Sequence, residues 1–174
     1  MKLAGADLSI AKSGLALTDG RLVTIVPAKG IVGYDRLRPM AQAILFNLRD
    51  ADLVALEGYN PHPIGTTALI RAAEVGGIVR AGLNELGIRW LDVPPSTLKK
   101  RATGKGNAGK ADVIAAAQAD GAGTNLGDDE ADAYWLRVIA GELIAWPETG
   151  GRPELLKVAT GNASILSALL QPRE

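Results

Sequence analysis

The sequence predicts an α/β domain, a mixed five-stranded sheet with three antiparallel strands plus two parallel ones, flanked by helices. Three observations support this class. Short apolar runs near the start are separated by turn residues, among them Asp19-Gly20, a strong hairpin pair. The hydrophobic period changes from strand-like to helical after Tyr34. Two later apolar runs are each reached through a helical stretch, the crossover that parallel strands require.

In order, residues 2–8, 14–19 and 22–29 read as a three-stranded antiparallel meander. Leu37, Met40 or Ala41, Ile44 and Leu48 then recur at helical spacing up to about Arg49. Residues 52–57 form a compact apolar strand ending in Glu57, and Gly58-Tyr59-Asn60-Pro61-His62-Pro63 reads as a loop. A long helix follows from about Thr66 to Glu85, ended by Gly87. It carries two rows of small residues, Ala68/Ala72/Gly76 and Ala73/Gly77/Ala81. Such rows suit close packing on the sheet or a partner helix across a dimer axis. Residues 88–93 give the fifth strand, closed by Pro94-Pro95, and residues 96–110 read as a basic, glycine-rich loop. A short helix over about 111–119 and a long one from about Asp128 to Trp146 complete the domain, with Pro147 expected to end the last.

The 174 residues fit one domain, here 1–150, followed by a C-terminal extension, 151–174, read as a short helix and tail. The absence of cysteine excludes disulfides and thiolate metal sites and suits a reducing cytoplasm. No apolar run approaches the roughly 20 residues of a membrane span, and no signal-peptide pattern opens the chain. Formal charge balances to zero, so net charge points to no partner. Its distribution does, because basic residues gather at 99–110 and acids at 128–132.

The acids carry the chemistry. Asp7 and Glu57 fall at the carboxyl ends of the first and fourth strands, where ligands of such sheets usually sit. On the last helix, Asp129, Asp132, Leu136, Ile139 and Leu143 share one stripe, so two acids of the first turns face the core. Glu130 is expected to point to solvent, and Asp128 to be an N-cap. Taken singly, each acid has a structural explanation as a turn or cap residue. Together, Asp7, Glu57, Asp129 and Asp132 would repel one another unless a counter-ion joins them. Hard Mg²⁺ or Mn²⁺ suits an all-carboxylate set, and two such ions sharing a bridging Asp can activate water against a phosphodiester.

Lys99, Lys100, Arg101, Lys105 and Lys110 form a cationic segment able to follow phosphates, with an ordinary solvated loop as the alternative. Tyr59 is the candidate for base stacking. His62, the single histidine, reads as exposed, and Trp90, Trp135 and Trp146 as core.

The ordered set of motifs resembles the RuvC family of Holliday-junction resolvases, nucleases of the RNase H-like fold. Carrying the resemblance are GADLSIAKSGLAL, ADLVALEGYN, EVGGIVRAGL, PPSTLKKRATGKGNAGKADV and DDEADAYWLRVIA, over about residues 3 to 145. It implies that Asp7, Glu57, Asp129 and Asp132 are metal ligands, that Lys99 and Lys110 contact DNA, and that the protein is a homodimer cutting four-way junctions. Ser9 stands where the family has glycine, and Asn60 where its bacterial members have an aromatic. A phage-encoded member, acting in a host cytoplasm, fits such divergence. Rival readings are a flap- or fork-selective nuclease of the same fold, a catalytically silent junction-binding protein, and a fragment of the sugar-kinase/actin superfamily.

Overall fold

The computed structural model of the chain describes residues 1–59 and 66–149. The elements are β1 (Leu3–Asp7), β2 (Ser13–Ala16), β3 (Leu22–Ile25), a 3-10 turn (Gly33–Arg36), α1 (Leu37–Leu48), β4 (Leu53–Glu57), α2 (Thr66–Glu85), β5 (Arg89–Val93), α3 (Pro95–Thr103), α4 (Lys110–Ala119) and α5 (Asp128–Thr149). Strand order is β3-β2-β1-β4-β5. β1 to β3 form the expected antiparallel meander, while β4 and β5 run parallel to β1.

Alternation along the strands divides the core into two layers. Leu53, Ala55, Leu91 and Val93 pack with Leu98, Val113, Trp135, Leu136 and Ile139 of α3, α4 and α5. On the opposite face, Ala4, Ala6, Val54 and Leu56 meet Met40, Ile44 and Leu48 of α1 and Val75, Val79 and Leu83 of α2. Each fully buried leucine or isoleucine contributes about 1.5–3 kcal/mol relative to exposure. Trp135 belongs to this core, with its indole N–H donating to the Val113 carbonyl, 3.4 Å away. Trp90 is only half-buried and donates to Asn84 Oδ1 at 2.9 Å, so it lies at the core's margin.

Two glycines decide how closely α5 lies on the sheet. A Cβ on Gly5 would stand 2.2 Å from the Ala133 carbonyl oxygen, and one on Gly14 would stand 2.0 Å from that of Asp129. Helix backbone therefore rests directly on β1 and β2, beside Asp7.

The structure corrects two boundaries. Residues 95–103 are helical, not a mobile loop. Pro95 occupies the first turn of α3, where its missing N–H leaves no bond unmade, and Gly104 ends the helix at φ +80 with its N–H on the Lys100 carbonyl. Helix α5 also continues past Pro147 to Thr149. Asn60, His62 and the extension 151–174 lie outside the described residues. Among the described residues no helix is long and apolar enough to cross a membrane.

Candidate active site

Strand parity brings Asp7 and Glu57 together. Gly5 pairs with Ala55 and Ala6 with Leu56 in the parallel β1–β4 register, so the next residues on each strand, Asp7 and Glu57, are neighbours. Both follow the parity of Gly5 and Ala55, which places them on the α5 face. Their carboxyls share a hydrogen bond, which requires a proton between them. Burial, followed by Glu57's negative charge, pushes Asp7 up to about 9. Burial also raises Glu57 above the usual carboxylate range.

From above, α5 contributes its acids. Asp132 is raised to about 7, first by burial and then by the charge of Asp7. Asp129 adds its charge to the repulsion felt by Asp7, Glu57 and Asp132. The four acids thus form one electrostatic unit contributed by β1, β4 and α5. Their donor chemistry, carboxylate oxygen alone, fits a hard divalent cation, and the raised protonation of Asp7, Glu57 and Asp132 marks a local shortage of positive charge. As held here, however, among the described residues no three acid or histidine side chains converge closely enough to chelate one ion. Asp7 and Glu57 bond to each other, and Asp129 is directed elsewhere.

What Asp129 meets is Lys12, a residue the sequence reading passed over. Its ammonium lies 2.7 Å from Asp129 Oδ2, 3.8 Å from Asp128 Oδ1 and 3.9 Å from Glu130 Oε2. A basic residue five positions beyond a strand-end acid was the available signal, but one lysine in a turn carries little information by itself. Glu130 is a correction as well. Rather than facing solvent, it is part-buried and accepts a hydrogen bond from Thr24 Oγ1 of β3. The reason is the close seating of α5, which extends its first turn across β2 and β3. Asp128 is the first residue of α5 and not its cap; its carboxylate pairs with Lys110.

The cationic segment is part helix and part loop, and its members have different surroundings. Lys99 is near enough to Glu57 and Asp132 to lower the proton affinity of both. Lys110 is bound to Asp128 and also senses Asp129 and Asp132. Lys100 and Lys105 are exposed. Arg101 is turned inward: its guanidinium pairs with Glu142 at 2.5 Å and lies 5.0 Å from the Trp135 ring centre. That residue ties α3 to α5 rather than facing solvent.

Tyr59 is exposed at the end of β4, beside Glu57. Its hydroxyl donates to the Ala73 carbonyl at 3.3 Å and accepts from Arg80 at 2.9 Å, with Arg80 also 4.9 Å from its ring centre. Gly76 makes room for this, since a Cβ there would stand 2.2 Å from the tyrosine hydroxyl. The other small row of α2, Ala73, Gly77 and Ala81, is exposed together with Ile70 and Ile78. At the β1–β2 turn, Ser9 has a defined part. Its N–H donates to Ser13 Oγ at 3.0 Å, and the buried Ser13 hydroxyl donates back to the Ser9 carbonyl at 2.8 Å.

This sheet order, with three antiparallel strands, two parallel ones and a final helix laid over the first strand, defines an RNase H-like fold of the RuvC type. Two solved structures show the likeness. Thermus thermophilus RuvC is 19% identical, with a TM-score of 0.67 over 87% of this chain and 98% of that one. T. thermophilus RuvC in complex with a Holliday junction substrate is 18% identical, with a TM-score of 0.66 over 78% of this chain and 90% of that one. At these identities the likeness establishes the fold. No protein-family model and no curated protein sequence matches the chain.

Proposed function

We propose that this protein is a divalent-metal-dependent endonuclease that acts on branched DNA, principally four-way junctions, as a homodimer. The observation that carries this reading is the electrostatic coupling of Asp7, Glu57, Asp129 and Asp132, contributed by three elements at one end of the sheet. Their burial and mutual repulsion leave Asp7 and Asp132 short of positive charge at neutral pH. A fold shared with a protein solved on a Holliday junction substrate supports the choice of DNA.

In this reading Asp7, Glu57, Asp129 and Asp132 would together hold a pair of Mg²⁺ ions, with Mn²⁺ able to substitute and Asp7 the central ligand. When bound, such ions supply an activated water and stabilise the leaving oxygen of a phosphodiester. The chain's own groups do the positioning. Lys99 and Lys110 flank the acids and meet the phosphate, Lys100 and Lys105 hold backbone further out, and Tyr59 offers a ring beside Glu57. The exposed Ala73/Gly77/Ala81 row permits a second copy to approach α2 closely.

A cleavage panel of junction, flap, fork and duplex DNA with Mg²⁺ and Mn²⁺ tests the proposal. Paired nicks in the junction are expected, and Asp7→Asn should reduce cutting by at least about a thousandfold while junction binding persists. Cleavage that survives Asp7→Asn would remove the metal-site assignment. Preference for flaps or forks would replace the junction as substrate. Binding without cleavage by the unaltered protein would make it a silent junction binder.

A further inference from the structure

Lys12 stands where a lone cation is poorly placed. It lies over the first turn of α5, the positive end of the helix dipole. The three successive acids Asp128, Asp129 and Glu130 outweigh that dipole. Gly127 borders this contact, a Cβ there standing 3.1 Å from the Lys12 ammonium and 2.5 Å from Glu130 Oε2. The Ser9–Ser13 pair of hydrogen bonds fixes the turn that presents the lysine.

The contact is unevenly distributed over the proposed ligands. Asp129 has an ammonium at 2.7 Å. Among the described residues no ion pair reaches Asp7, Glu57 or Asp132; Lys99 acts on the last two only through space. The geometry points to Lys12 as a built-in competitor of the divalent cation, one that draws Asp129 away from Asp7 and Glu57 and must be displaced before an ion can use it. This rests on the metal-dependent reading above. It makes the two ions unequal. An ion approaching Asp7, Glu57 and Asp132 displaces a proton but no ammonium, whereas one that needs Asp129 must exchange with Lys12.

Direct Mn²⁺ binding, measured by calorimetry at neutral pH without DNA, tests this on the full chain. Lys12→Met should tighten the weaker Mn²⁺ step by about tenfold, and Lys12→Arg should behave like the parent. In an Asp129→Asn background, Lys12→Met should change nothing. Thermal unfolding gives a second readout with opposite signs. In chelator Lys12→Met should melt lower, because three acids lose their counter-ion, yet its Mn²⁺-induced rise should exceed the parent's. Lys12→Gln serves should the methionine variant misfold. If the parent binds Mn²⁺ and neither Lys12→Met nor Lys12→Gln binds it more tightly, the competitor role is wrong and the metal site stands. If neither parent nor variants bind Mn²⁺, both are wrong.

Discussion

Asp7 is placed where an isolated charge is least tolerable, at the end of a central strand and beneath a helix that contacts the sheet through backbone. Its proton is retained for that reason, and the consequence is measurable. In an unfolded chain aspartates titrate near 4. In the folded protein Asp132 holds its proton up to about 7 and Asp7 up to about 9. Between those limits the folded state binds more protons than the unfolded one, so stability falls as pH rises through the window. In chelator, the melting temperature should drop progressively from pH 5 to pH 9, and Asp7→Asn should flatten much of the slope. A parent profile flat over this range would contradict the assigned burial. The sequence exposed these acids because strand ends and a helical stripe are both periodic features. It concealed Lys12 and the inward turn of Arg101, since each depends on how two distant elements pack.

At the scale of elements, the seating of α5 governs whether the acids meet. Gly14 lies beside Asp7 in the antiparallel register and beneath the Asp129 backbone. Adding even one methyl group there forces backbone to move. Gly14→Ala should destabilise the fold by about 1–3 kcal/mol and separate Asp129 from Asp7, lowering cleavage more than DNA binding. A Gly14→Ala protein with unchanged melting temperature and activity would show that α5 can shift freely. Helix α3 was not legible beforehand for a simple reason. Its one fully buried apolar residue is Leu98, so no period appears, and Pro95 served equally as a strand stop or a helix start. The glycines that suggested a loop all follow the helix rather than interrupt it.

For the whole molecule, the strand order was legible because hairpin signals fix the antiparallel half and crossover lengths fix the parallel half. Association was not, because a row of small residues reads the same against a sheet and against a second chain. The structure leaves Gly77 facing outward, with nothing within 4 Å of an added Cβ. Gly77→Leu should therefore keep or slightly raise monomer stability, by up to about 1 kcal/mol from helix propensity. It should also convert a dimer to a monomer in sedimentation velocity. An unchanged sedimentation coefficient would remove α2 as the interface. Arg101 sets a different kind of limit. Its pairing with Glu142 splints α3, with Lys99 and Lys100, to the helix carrying Asp129 and Asp132. Under the proposed function, the grip on the DNA backbone and the cutting centre are then parts of one ruler. Loosening that splint would blur where along a strand the cut falls before it changed how tightly the strand is held.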